Sequence, residues 1–174
     1  MTTPTGRSPA RDDGFWVPLL THYRRDGDRL AVDSERMAAH VRSLRPYLRQ
    51  FMIAGSTGDG WEIDDRMFDD LLALTARADV FDSGCRLLVG VLRPTTAEVI
   101  ARARTAERAL GSGRHAASFD GLAVCPPVDA KADQATIARH FDAVIEATHS
   151  PVAVYQLPQV TGCTLAAPSR TTNT

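Results

Sequence analysis

Residues 51–74 read FMIAGSTGDGWEIDDRMFDDLLAL, and they hold every part of one βα unit. Phe51 to Ala54 are apolar at each position, as a strand covered on both faces requires. Gly55-Ser56-Thr57-Gly58-Asp59-Gly60 then interrupts the run with glycines and short polar residues, the composition of a loop. Asp64 and Asp65 follow, and acidic residues there suit the positive end of a helix. Phe68, Leu71, Leu72 and Leu74 recur at helical spacing, so the helix they predict is apolar on one face.

The same unit repeats on either side. Apolar runs predict strands at Phe15 to Leu20, Phe51 to Ala54, Arg86 to Val91, Gly121 to Val124 and Pro151 to Gln156, and their alternation with helical segments predicts a parallel sheet. Asp33 or Ser34 can cap the first helix, which carries Met37, Val41 and Leu44. Thr95 or Thr96 starts the third, with Val99, Ile100 and Ala103 inward and Arg102, Arg104 and Glu107 outward. Asp133 starts the fourth, with Ile137, Phe141, Val144 and Ile145 on one face.

Counted from Trp16, Ile53, Leu88, Ala123 and Val154, the strands recur every 30 to 37 residues or so, about one βα repeat. Eight such units need about 250 residues, the usual size of a TIM barrel. The expected fold is therefore α/β, an incomplete (β/α)8 TIM barrel with strands one to five and four intervening helices. It is expected over residues 14–165, between a disordered N-terminal tail (1–13) and an irregular C-terminal tail (166–174). The competing arrangement is a complete flavodoxin-like sheet, which needs a helix over its last strand. After Tyr155 the sequence instead reaches AAPSRTTNT, which is polar and has no apolar face.

Composition narrows the function. With 44% hydrophobic and 24% charged residues, the 174-residue chain can bury a core. A net charge of -1 gives no field that would gather nucleic acid or an anionic membrane, which leaves small molecules as the expected partners. The start of the chain has no apolar stretch of a secretion signal or membrane anchor. Cys85, Cys125 and Cys163 are too scattered for a disulfide framework or a zinc knuckle, and are read as reduced thiols of a cytoplasmic protein. Basic charge is almost all arginine: Lys131 is the sole lysine.

Ligands of parallel α/β folds bind at the carboxyl ends of the strands. After the second strand, Gly55 and Gly58 allow close backbone approach, and Ser56 and Thr57 offer hydroxyls and amides to a carboxylate or phosphate. A tight turn whose hydroxyls satisfy the backbone accounts for the same residues. Tyr155, at the end of the fifth strand, can relay protons, or can be a core aromatic with its hydroxyl satisfied.

Five pieces in register carry a resemblance over nearly the whole chain. Pro18-Leu19-Leu20-Thr21 with Asp26-Gly27, then GSTGDG, then Gly90-Val91, then Cys125-Pro126-Pro127, then YQLP with Thr161-Gly162 resemble the dihydrodipicolinate synthase / N-acetylneuraminate lyase family in order and spacing. The resemblance implies aldolase-type lyase chemistry, in which a barrel lysine forms a Schiff base with pyruvate or a 2-keto acid. It implies that Ser56 and Thr57, with Gly55 and Gly58, bind the keto-acid carboxylate. It also implies that Tyr155 is the proton-relay tyrosine.

Departures from the family pattern bear on activity. The family's lysine lies on strand six, about one repeat beyond Tyr155, past Thr174, so the chain is expected to be a truncated N-terminal portion, inactive alone. Lys131 sits in the polar stretch Asp129 to Asp133, with nothing apolar to hold it as a neutral nucleophile, and is read as a solvated surface residue. Pro127-Val128 stand where synthases of the family carry a second tyrosine. Val160 stands where they carry an arginine, the natural partner of a second carboxylate.

His22, His40, His115, His140 and His149 show no metal-site spacing, and His40 and His140 are expected on polar helix faces. No metal or cofactor is expected. Arg102, Arg104 and Arg108 are read as a solvated face, and Trp61 and Phe15 as core or loop packing. A second functional reading is a non-catalytic binding or assembly module, because an unclosed barrel leaves its first and last strands unpaired, open to self-association or to a complementing C-terminal fragment.

Overall fold

A computed structural model describes residues 15–111 and 117–166. The tails expected at 1–13 and 166–174 lie outside the described residues, apart from Ala166, as does His115. In chain order the elements are β1 (Val17–Pro18), β2 (Tyr23–Asp26), β3 (Arg29–Val32), α1 (Ser34–Leu44), β4 (Gln50–Ile53), a 3-10 turn (Ser56–Gly58), α2 (Asp65–Thr75), β5 (Arg86–Gly90), α3 (Thr96–Leu110), β6 (Ser118–Val124), α4 (Gln134–Ala147), β7 (Val152–Val154) and α5 (Pro158–Thr161).

The helix starts follow from short polar side chains. The carboxylates of Asp33, Asp64 and Asp133 accept hydrogen bonds from the backbone N–H groups of Arg36, Met67 and Thr136. Thr95 and Glu98 form a reciprocal capping box.

The main sheet runs β1-β4-β5-β6-β7, with every neighbouring pair parallel. Strands therefore add to one edge in chain order, as in a (β/α)8 barrel, and no strand reverses the order. A flavodoxin-like sheet requires such a reversal, so that alternative is excluded. The sheet is open: β1 and β7 are its edges, and Val154 on β7 is 58% exposed.

Leu87 and Val89 of β5 and Leu122 and Val124 of β6 are fully buried. They share one core with Met37, Val41, Leu71, Val99, Ala103, Ile137 and Val144 of the helices. Leu88, alternating with Leu87 and Val89, is only half-buried, because successive side chains point to opposite faces of a sheet.

Four local expectations are corrected. The first strand pairs only over Val17–Pro18, and Phe15 is 67% exposed. Between it and α1 lies an unexpected antiparallel hairpin, β2 with β3, turning at Gly27, whose φ is +62°. Gly27-Asp28, the two residues between the paired Asp26 and Arg29, are a hairpin signal that the sequence carried. The fifth strand's loop contains the one-turn helix α5. Finally, Ile145 is exposed while Ile137 and Val144 are buried, because a fourteen-residue helix rotates position 145 out of the stripe.

Candidate functional site

Ser56 and Thr57 form the 3-10 turn that leaves the carboxyl end of β4. The turn is closed internally: the N–H groups of Gly58 and Gly60 donate to Gly55 O at 3.0 and 2.9 Å, and Asp59 N–H donates to Ser56 O at 3.2 Å. Ala54 and Asp59, on either side, have φ of 50° and 55°, a left-handed backbone that side chains other than glycine adopt at a cost. The strain turns the chain sharply and presents the two residues at the rim. Ser56 is half-buried and Thr57 exposed.

The turn is gripped from neighbouring elements. Thr21, just after β1, donates its hydroxyl to Gly58 O at 2.6 Å, and Tyr23 of the hairpin donates to Asp59 Oδ2 at 2.9 Å. Burial, reinforced by the Asp59 carboxylate, pushes the Tyr23 phenol well above its ordinary value. Gly90, ending β5, lies so close that a Cβ there would stand 2.1 Å from Ala54 O. At Gly58 a Cβ would meet Leu19 O at 2.4 Å. These glycines are spaces into which other backbone fits.

Tyr155 follows β7, with its N–H donating to Val124 O at 2.8 Å. Burial, then the neighbouring Cys125, raises its phenol. Cys125, ending the β6 segment, is itself pushed up to about 12 by burial and by Cys163. Beneath it, His140 is 3% exposed. Its Nε2 lies 2.9 Å from Cys125 O and its Nδ1 2.8 Å from Thr96 Oγ1. A carbonyl can only accept, so Nε2 carries the proton and Nδ1 accepts from the threonine hydroxyl. Burial lowers the ring's basicity, partly offset by the Cys125 carbonyl.

The fold thus brings Ser56, Thr57 and Tyr155 to the same rim. They do not touch: β5 and β6 lie between β4 and β7, so they are three interstrand steps of about 4.8 Å apart along the sheet. Lys131 is exposed in the turn before α4.

Two sequence expectations fail at buried polar groups. His140 is not on a polar face, because its two hydrogen bonds compensate its burial. Arg102, expected among solvated arginines, is 3% exposed. Its guanidinium donates to Gly60 O and Ile63 O and lies 4.6 Å from the Phe68 ring. Arg104 and Arg108 are exposed as expected. His40 is half-buried, with its Nδ1 3.1 Å from His22 Nε2. Thr21, Tyr23, Arg93, Arg102 and His140 are site-supporting residues that periodicity missed. Only Thr21 carried a signal, as part of Pro18-Leu19-Leu20-Thr21.

Among the described residues, no group of three or more His, Cys, Asp or Glu could hold a metal, and no helix is long and apolar enough to cross a membrane. The three cysteines are free and buried. A groove of about 610 Å³ opens near Trp61, Asp65, Phe68, Arg93 and Arg102 and includes neither Ser56, Thr57 nor Tyr155. A ligand between β4 and β7 would lie on the open sheet end instead.

Parallel strands in sequential order, with a strained hydroxyl-bearing turn after the second and a half-buried tyrosine after the fifth, define the class: an arc of a (β/α)8 barrel. The profile of the dihydrodipicolinate synthetase family matches residues 13–172, and the chain belongs to that family. It is 32% identical to a 4-hydroxy-tetrahydrodipicolinate synthase of Kineococcus radiotolerans over 164 residues, covering 93% of this chain and 49% of the relative. It is 31% identical to the corresponding synthase of Stenotrophomonas maltophilia, covering 86% and 46%.

Among solved structures, the 4-hydroxy-tetrahydrodipicolinate synthase of Methylacidiphilum fumariolicum SolV is 20% identical with a TM-score of 0.72, over 87% of this chain and 46% of that one. A prophage protein of the dihydrodipicolinic acid synthase family from E. coli K12, in complex with pyruvate, is 22% identical with a TM-score of 0.69, over 84% and 45%. The chain spans about half the length of the curated relatives it matches.

Proposed function

We propose that the chain forms the keto-acid-binding arc of a dihydrodipicolinate synthase-family lyase, for pyruvate or a related 2-keto acid. The turn Gly55–Asp59 carries this reading. It offers the Ser56 and Thr57 hydroxyls at the strand's carboxyl end, neither with a hydrogen-bond partner among the described residues, on backbone held at both ends by strained residues. Hydroxyls and amides so held suit a carboxylate, while Gly58, against Leu19 O, and Gly55, against the Met52 side chain, serve the packing of the turn. Tyr155, whose burial keeps the phenol protonated, is the proton donor and relay.

The chemistry of the class requires an amine to form the Schiff base. The sole lysine, Lys131, is an exposed residue of the turn before α4 and is read as a solvated surface side chain, so this chain by itself has no covalent route and is inactive alone. Val160 and Pro127-Val128 offer no arginine or second tyrosine to a second substrate carboxylate, which disfavours the synthase reaction itself. Buried free thiols fit a reducing, cytoplasmic setting.

Incubation with pyruvate and borohydride, read by mass spectrometry, should leave the chain unmodified, while pyruvate titration should shift the Ser56 and Thr57 amide resonances. A reduced pyruvate adduct, or unmoved amides, would overturn this reading.

A second reading, an assembly module, is favoured by the unpaired β1 and β7 edges and by exposed Val154. It expects association that grows with concentration in sedimentation. A chain that stays monomeric throughout argues against it.

A further inference from the structure

We propose that Arg102 is a positioning residue for the substrate turn, acting with Arg93 by holding the chain that leaves it. This inference rests on the reading of Gly55–Asp59 as the keto-acid-binding turn.

Arg102 lies on α3, in the stripe that faces the core, where an aliphatic residue would pack at no electrostatic cost. Its side chain is only 2% exposed. It donates to Gly60 O at 3.1 Å, Ile63 O at 3.0 Å and Asp65 Oδ1 at 3.0 Å, and its guanidinium lies over the Phe68 ring. Arg93, just beyond β5, donates to Trp61 O at 3.2 Å and to Ile63 O at 2.7 Å. Two guanidinium groups thus take the carbonyls of residues 60, 61 and 63, the stretch joining the turn to α2.

The connection to the turn is short. Gly60, held through its carbonyl by Arg102, donates its own N–H to Gly55 O at 2.9 Å, and Gly58 donates to the same oxygen. Gly55 directly precedes Ser56. One guanidinium and one peptide group therefore stand between α3 and the residue that presents the hydroxyls.

Burying a cation is costly, and its only carboxylate partner among the described residues, Asp65, has a side chain 91% exposed. General packing does not call for an arginine here, whereas the planar fork matches several carbonyls that a lysine cannot reach together. Nε of Arg102 has no partner among the described residues, so the fork's remaining donors, aimed at the carbonyls, carry the role.

The test compares the full chain with Arg102→Lys, Arg102→Met and, as a control from the exposed side of the same helix, Arg104→Met. Pyruvate affinity is read from the Ser56 and Thr57 amide shifts, local order from hydrogen exchange at the Gly58 and Gly60 amides, and the global fold from denaturant unfolding. Both Arg102 variants should weaken pyruvate binding about tenfold and speed exchange at Gly58 and Gly60 by a similar factor, beyond any change in global stability, the loss expected for a charge-assisted bond. Arg104→Met should change neither.

In Arg102→Ala, methylguanidinium admitted through the adjoining groove should restore both readouts. If the Arg102 variants fail to fold, Arg93→Met, which removes the bonds to Trp61 O and Leu92 O, part of the hold on Ile63 and a long contact with Asp65, should show a smaller change in the same direction. Wild-type exchange at Gly58 and Gly60 in Arg102→Lys would overturn the inference. If the wild-type chain does not bind pyruvate, the functional reading fails, but the exchange measurement still decides whether Arg102 orders the turn.

Discussion

Gly90→Ala would put a methyl group 2.1 Å from Ala54 O, 2.7 Å from Ala54 C and 3.1 Å from Gly55 Cα. All three atoms are backbone, so no side chain can rotate away. Restoring ordinary contact requires a shift of more than about 1 Å, given carbon contact optima near 3.5 Å. The atoms that must move belong to Ala54, which already holds a φ of 50°, and to the residue preceding the Ser56 turn. Overpacking costs about 1 to 3 kcal/mol, and the upper end is expected where backbone must yield. For a domain of this size that is a fall of roughly 6 to 12 °C in the thermal midpoint, at about 2 to 4 °C per kcal/mol.

The binding effect should be larger in proportion, because a misplacement of about 1 Å can cost on the order of a hundredfold in a positioned site. Thermal unfolding by circular dichroism and pyruvate titration of the Ser56 and Thr57 amides measure the two. Gly27→Ala is the control: Gly27, unlike Gly90, has a positive φ, but no heavy atom lies within 4 Å of its added Cβ. It should lose only about 1 to 2 kcal/mol and leave the turn's resonances in place. A midpoint for Gly90→Ala within about 2 °C of wild type, with unmoved Ser56 and Thr57 amides, would refute the close-approach account.

Two further outcomes follow from the buried polar groups. Burial lowers the basicity of His140 and His40, so the unfolded chain binds more protons as pH falls. Stability is then fully present above the ordinary histidine value of about 6.5 and declines toward about pH 5. His140→Leu should reduce that decline while losing about 1 to 3 kcal/mol through the unpaired Cys125 carbonyl; denaturant unfolding across the range checks it, and stability rising toward pH 5 would contradict it. Tyr23→Phe removes the bond to Asp59 and should cost about 1 kcal/mol. It should also speed exchange at the Asp59 amide, and an unchanged amide would deny the hairpin a role in holding the turn.

The sequence by itself determined the repeat and which side chains stand at its strand ends. All four long helices begin where short polar residues stood before apolar stripes, because capping is a contact between residues three apart. The strands were legible from short apolar runs, although among the described strands β4 alone is buried at every position, and their spacing already pointed to a barrel. Ser56, Thr57 and Tyr155 could be found because a βα loop must follow each such strand.

Tertiary structure decided what depends on distant partners. Sequential strand order excluded the flavodoxin-like sheet, and no local pattern encodes which strands pair. The hairpin β2–β3 was overlooked because β2 is largely exposed and charged and β3 buries only Ala31 and Val32, so neither shows the apolar alternation that marks a covered sheet. Arg102 and His140 read as surface residues since polarity predicts exposure on average. The fold reverses that average by supplying acceptors far away in sequence, Gly60 and Ile63 for the one and Cys125 for the other. Hydrogen-bond partners that compensate burial are assembled only when the chain closes on itself, which is why the supports of the candidate site, unlike its hydroxyls, belong to the three-dimensional structure.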